Sequence, residues 1–270
     1  MKNKIIALTL SGIIWMSTSV FSQNSVLPEI LNQPSKGTVA QDIIDISQNF
    51  LNDPYLAGTL EGPEEKLVCK LDGFDCYTLV ENALALALTK KSNQKTEENY
   101  LKILQKLRYR NGKIDGYTSR IHYFFEWAKQ TERYGYLQDL SPIFGVKLNK
   151  RIDFMSQNSK LYPALSSPEN LSKLTLTEQS ISKIPFYYIP KDNFSNYVSL
   201  IKDGDIIAFT SAVAGLDVNH EGFAVWQNGK LKLLHASLEK KKVIISDETL
   251  NQYLQRVKKH SGVLVLRPKN

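Results

Sequence analysis

Phe74-Asp75-Cys76, running into Tyr77-Thr78-Leu79-Val80-Glu81-Asn82-Ala83-Leu84-Ala85-Leu86-Ala87-Leu88, decides how this chain is read. The apolar run has a helical character and places one cysteine at the start of a helix. Unpaired backbone N–H groups and the positive end of the macrodipole there favour a thiolate. A lone cysteine in that position means little, because free cysteines are often buried packing residues. Further along, Gly204-Asp205-Ile206-Ile207-Ala208-Phe209 leads to His220 and His235 on two adjacent predicted strands. A thiol, an imidazole base and a third residue to orient it are what covalent acyl transfer requires.

The histidine spacing makes a geometric claim. Asn228-Gly229 sits between two alternating runs and is a strong hairpin signal. With a two-residue turn, His220 faces Ser237 and Gly222 faces His235. The two histidines then lie on one face as diagonal neighbours, whereas a one-residue slip would separate them. In this arrangement Cys76 is the nucleophile, His220 its base, and His235 the group that fixes the tautomer of His220. The backbone N–H of Cys76 and the Tyr55 hydroxyl are candidates to stabilise an oxyanion. A zinc site built from the same histidines lacks the usual short ligand spacing, so no metal is expected.

Composition is that of an ordinary globular protein: 270 residues, 42% hydrophobic and 23% charged. Lys2 and Lys4 precede the apolar run Ile5 to Met16 and the exit Ser17-Thr18-Ser19-Val20-Phe21-Ser22, which reads as a signal peptide over residues 1–22. That run is shorter than the ~20 residues a membrane helix needs, so export to the periplasm with no remaining membrane span is expected. Residues 23–38 read as a tether, and residues 23–270 as a single domain. Removing the leader leaves 32 basic and 27 acidic side chains, a balance of +5 that suits an anionic partner such as a cell-wall fragment and equally suits general solubility. No basic run is interleaved with aromatics, so nucleic acid is not an expected partner. Cys69 and Cys76 are the only cysteines. A bridge between them would close a short loop, contribute little and consume the nucleophile, so Cys69 reads as a packing residue.

Helical spacing marks the stretch from Val39 to Leu51, Glu97 to Leu107, and a helix capped at Ser119. Residues 141–195 read as loops with short elements. Strands are predicted over Ile201 to Thr210, His220 to Trp226, Lys230 to Ser237, Val243 to Ser246 and Gly262 to Leu266. Helices first and antiparallel strands after give an α+β plan, with residues 91–195 inserted between the nucleophile helix and the sheet.

Three blocks carry a family resemblance: Asp53-Pro54-Tyr55 with Gly58; Phe74-Asp75-Cys76; and Gly204-Asp205 through His220-Glu221-Gly222-Phe223-Ala224 to Leu234-His235-Ala236-Ser237. Together they resemble the NlpC-type superfamily of papain-like cell-wall cysteine peptidases. The resemblance implies a papain-like core and assigns Tyr55, Cys76, His220 and His235 the roles given above. The chain departs from the pattern at Tyr77-Thr78, where a serine-glycine pair is usual, and at Glu221, where an apolar residue is usual. Its insertion, with Tyr109-Arg110-Asn111-Gly112 and Gly116-Tyr117-Thr118-Ser119-Arg120-Ile121-His122-Tyr123-Phe124, resembles a branch long of unknown function. Characterised members of that branch are N-acetylmuramoyl-L-alanine amidases acting on anhydro-muropeptides. This implies peptidoglycan fragments as partners, no cofactor, and cleavage between the lactyl group and L-alanine. The alternatives are an endopeptidase cutting between D-glutamate and diaminopimelate, a silent muropeptide-binding module, and an acyltransferase. Within the insertion, Arg120 and His122 are candidate substrate-binding residues, with a structural salt bridge the other reading of Arg120. His260 reads as a solvated tail residue.

Overall fold

The computed structural model describes residues 26–270. The expected signal peptide lies outside the described residues. Nine α-helices are described: Val26–Asn32 (α1), Val39–Asn49 (α2), Cys76–Lys91 (α3), Glu97–Arg108 (α4), Phe124–Arg133 (α5), Ser141–Phe144 (α6), Phe154–Gln157 (α7), Pro168–Ile181 (α8) and Leu250–Arg256 (α9). The strands are Leu137–Asp139 (β1), Val146–Leu148 (β2), Phe186–Pro190 (β3), Ile206–Ser211 (β4), Val218–Gln227 (β5), Lys230–Ser237 (β6), Lys242–Ile245 (β7) and His260–Pro268 (β8). They form one antiparallel sheet ordered β2-β3-β8-β4-β5-β6-β7, with β1 also paired to β8. This is an α+β architecture of helices packed on an antiparallel sheet.

Helix α3 is its centre. Leucine and alanine surround its axis, so no face suits water, and α2, α4 and strand β5 enclose it. Asp75 caps its start, while Lys90 and Lys91 meet the negative end of its dipole. Glu81, in mid-helix and fully buried, is held by Arg108 of α4 at 2.9 Å. Removing either partner would strand a buried charge, so this pair ties α4 to α3. No helix among the described residues is long and apolar enough to cross a membrane.

Several sequence expectations need correction. The segment expected to be a tether holds α1, because Leu27, Ile30 and Leu31 recur at helical spacing and bury against the core. The helix expected to be capped at Ser119 begins at Phe124, with a single 3-10 turn over Tyr117–Ser119 before it. The region 141–195 contains the 14-residue helix α8, capped by Ser167 and started by Pro168. It also contributes β3, which pairs with β8, so the sheet itself draws on the inserted segment. Ile201 to Asp205 form a turn ahead of β4.

That turn explains Gly204-Asp205. Gly204 has φ of +80°, and a Cβ there would come within 2.5 Å of the Ala40 carbonyl oxygen. Asp205 accepts the Lys202 N–H at 2.8 Å and binds Arg267 of β8 at 2.7 Å. Both residues hold the turn against α2 and β8 and stand apart from the chemistry. Gly204→Ala is expected to destabilise the fold by roughly 2–4 kcal/mol, read as a lower denaturant midpoint at unchanged slope.

Candidate active site

Asp75 and Thr78 determine where α3 starts and therefore where Cys76 stands. The Asp75 carboxylate accepts the Thr78 N–H at 2.8 Å, and Thr78 Oγ1 accepts the Asp75 N–H at 3.0 Å. The backbone N–H groups of Glu221 and Tyr77 act on the thiol and favour its anion. Burial, with Glu221 and Asp75 adding to it, prevails and pushes the Cys76 thiol well above its usual range. A resting thiolate, expected from the helix start, is therefore not favoured. A helix end contributes only ~0.3–1 kcal/mol, which desolvation of the anion and the two nearby acids outweigh. Both cysteines are free thiols, and Cys69 packs with its Sγ 3.3 Å from the Tyr100 hydroxyl.

The β5–β6 hairpin has the expected turn and register. Asn228 and Gly229 both adopt positive φ, and the ladder runs from Phe223 opposite Leu234 to Gln227 opposite Lys230. A hydrogen bond of 2.6 Å joins His220 Nε2 to His235 Nδ1. Gly222 makes room for it, since a Cβ there would lie 2.8 Å from His235 Cβ. Nε2 of His220 is engaged with His235, which leaves Nδ1 as the ring nitrogen outside that bond.

An aromatic box surrounds this pair. Phe209 lies opposite His220 across the β4–β5 ladder, and Tyr253 of α9 meets the His235 ring edge-on at 5.3 Å. His260, expected to be a solvated tail residue, is 4% exposed and stacks on Phe209 at 4.5 Å. The physical reason is a bulge. Thr210 pairs with Gly262 but Ser211 pairs with His260, so Ser261 is skipped and the alternation of β8 is reset. Burial pulls the His220 pKa down to about 4. Burial, then His220 and Arg256, hold His235 well below its usual value. Burial, reinforced by His220, Lys191 and Arg256, brings His260 to about 3. All three rings are neutral at neutral pH.

Cys76, His220 and Glu221 share a cavity of about 480 Å³ with Arg120, His122 and Tyr162 of the inserted segment. His235 stands behind His220 and borders a separate hollow with Tyr253 and Arg256. Tyr55 is held beside Phe74 by a backbone bridge. Burial, followed by the Cys76 and Asp75 groups nearby, pushes its phenol up to about 12, so it keeps a proton to donate. Arg120 is 6% exposed and binds Glu61 at 2.9 Å and Glu65 at 3.1 Å. Its charge is thus balanced within the protein, and it braces the 58–65 loop against the insertion. His122 Nε2 lies 3.0 Å from the Tyr117 carbonyl oxygen, and burial followed by Arg120 lowers its pKa to about 3. Among the described residues no cluster of three or more metal-ligating side chains occurs. Sequence reading missed Tyr253 and His260 around the histidine pair, and it noted Glu221 only as a departure from a pattern.

A family model described as AmiA-like, N-acetylmuramoyl-L-alanine amidase-like, matches residues 45–263. Among solved structures, an N-acetylmuramoyl-L-alanine amidase from Bacteroides uniformis is 42% identical, with a TM-score of 0.82 over 86% of this chain and 99% of its own. A Bacteroides fragilis protein named a candidate xylanase is 40% identical, with a TM-score of 0.78 over 82% of this chain and 98% of its own. A Legionella pneumophila protein, 24% identical with a TM-score of 0.68 over 92% of this chain and 94% of its own, shares the fold. Among curated proteins there is no match.

The buried neutral histidines make stability depend on pH. Native His260 refuses a proton that the unfolded chain takes up near pH 6.5, so its contribution is lost as pH falls toward about 3. His260→Gln removes about one proton from that uptake. Its unfolding free energy between pH 6 and pH 4 is expected to depend on pH less steeply than wild type, by about 1.4 kcal/mol per pH unit in denaturant titrations.

Proposed function

The chain belongs to the AmiA-like, N-acetylmuramoyl-L-alanine amidase-like family, and on that premise we propose that it is a cysteine-dependent amidase of anhydro-muropeptides. The bond cleaved is the amide between the muramyl lactyl group and L-alanine. The observation that carries this reading is the 2.6 Å His220–His235 bond, which leaves Nδ1 of His220 for a thiol in the same cavity. The plan of a nucleophile at the start of a buried helix beside a histidine-bearing antiparallel sheet supports an NlpC-type papain-like core. The charged, apolar and export-like character of residues 1–22 supports a periplasmic location for a single domain over residues 23–270.

The resting site holds a neutral thiol and a neutral imidazole, so His220 acts as a general base during attack and not as a standing ion-pair partner. Nδ1 takes the proton of Cys76 as Sγ bonds to the lactyl carbonyl carbon. The carbonyl electrons move to oxygen, where the Tyr55 O–H and the Cys76 N–H donate to the oxyanion. His235 Nδ1 accepts the Nε2–H of His220 and stabilises the imidazolium. That imidazolium protonates the departing L-alanine nitrogen as the C–N bond breaks, leaving a thioester. Water, deprotonated by His220, then displaces the thiol and releases the lactyl acid. Arg120 and His122 form the substrate side of the cavity, with Arg120 holding Glu61 in place and His122 remaining uncharged.

Mass spectrometry of anhydro-disaccharide-tetrapeptide incubated with wild type and with Cys76→Ala tests the reading. Disaccharide and intact tetrapeptide are expected from wild type only. A disaccharide retaining L-Ala-D-Glu would replace the amidase by an endopeptidase. The acid limb of kcat/KM is a second test. Since His220 stays neutral to about pH 4, activity is expected to persist through pH 5. Below about pH 4 it should fall roughly tenfold per pH unit, where an ordinary histidine would fail below about 6.5.

A further inference from the structure

Glu221 follows the base in sequence, contributes to the wall of the same cavity, and takes no part in the mechanism above. It is 3% exposed, and its Oε2 is enclosed with no hydrogen-bond partner among the described residues. The groups that face it are acids and hydroxyls: Glu81 and Tyr77 on α3, Asp75 at the α3 cap, Asp217 ahead of β5, and the Cys76 thiol. Arg108, which acts on Tyr77 and Glu81, is bound to Glu81 at 2.9 Å, and Arg120 of the same cavity is bound to Glu61 and Glu65. A carboxylate among these groups would be an uncompensated buried charge, which the fold could not hold without a cation. A carboxylic acid has no such cost, and its O–H is a donor in need of an acceptor.

We propose that Glu221 is a substrate-positioning residue whose carboxyl O–H donates a hydrogen bond to an uncharged acceptor oxygen of the substrate, an amide carbonyl beside Cys76. The inference rests on the amidase reading for its substrate. It is supported by the burial and by Glu81, Asp75 and Asp217, in that order, which hold the Glu221 carboxyl well above the usual carboxylate range. The arrangement also links protonation to reactivity. While Glu221 is an acid, the thiol faces one charge fewer. Once it ionises, its negative charge opposes the thiolate that attack requires. Other structures of catalytic sites use a neutral carboxylic acid as a donor in this way.

Two measurements test the proposal, and the first needs no substrate. The rate of Cys76 alkylation by iodoacetamide, read by mass spectrometry of the Cys76 peptide, is compared for wild type and Glu221→Gln from pH 6 to pH 10. Equal rates at low pH with the variant roughly tenfold faster at high pH are expected, because only wild type gains the opposing charge. Parallel profiles across the range would overturn the protonated state assigned to Glu221.

The second is hydrolysis of anhydro-disaccharide-tetrapeptide by variants confirmed to be folded by thermal melting. Glu221→Leu is expected to raise KM about tenfold or more, and Glu221→Gln, which keeps a donor, to recover it to within about threefold of wild type. Wild-type KM in Glu221→Leu, or a loss in Glu221→Gln equal to that in Glu221→Leu, would overturn the positioning role. If wild type leaves the muropeptide intact, the amidase reading fails and the positioning role stated for that substrate falls with it. The alkylation profile still decides the protonation of Glu221 separately.

Discussion

Helix α3 carries leucine and alanine around its whole circumference, so it is stable only when α2, α4 and the sheet enclose it on every side. That enclosure brings the helix start, and Cys76 with it, into one cavity with His220 and Glu221 of β5. It also forces polar residues of α3 to find partners inside. Glu81 takes Arg108, Asn82 donates to the Thr78 carbonyl oxygen and accepts from Tyr100, and Asp75 closes the cap. The polar neighbourhood of Cys76 is thus assembled from what the buried helix needs, and the electrostatics of the cavity follow from it.

Those electrostatics favour uncharged groups. Around the thiol the acids outnumber the bases, and the basic side chains within reach are already engaged, Arg108 by Glu81 and Arg120 by Glu61 and Glu65. Around the histidines the box is aromatic, which penalises imidazolium. A site of this kind holds its reactive pair as thiol and imidazole and creates charge only when a substrate carbonyl is present to receive it. In the proposed reaction the charge that develops meets the proposed donors and acceptors, namely Tyr55, the α3 N–H groups and His235.

How much of this was legible differs from element to element. The β5–β6 hairpin was read to the residue, because Asn228-Gly229 selects a two-residue turn and period-two alternation then leaves one register for His220 and His235. Helices α2 and α4 were read from apolar spacing. Helix α8 was not, because its apolar positions are sparse and half of it faces water. The helix expected after Ser119 was real, but the 3-10 turn over Tyr117–Ser119 displaced its start to Phe124. His260 was misread because a bulge shifts alternation by one, and nothing local to Ser261-Gly262 announces a bulge whose partner strand lies fifty residues away.

The sequence by itself determined where α3 begins, which hairpin register the histidines occupy, and that the chain is helices followed by antiparallel strands. These depend on local propensity, capping and periodicity, all of which act over a few residues. Only the tertiary structure decided the protonation of the site, the pairing of Arg120 with two acids, and the burial of Glu221 and His260. The reason is that burial and charge compensation are set by residues distant in sequence. Arg108 reaches Glu81, Glu61 and Glu65 reach Arg120, and Tyr253 closes over His235 only after the sheet has brought their elements together.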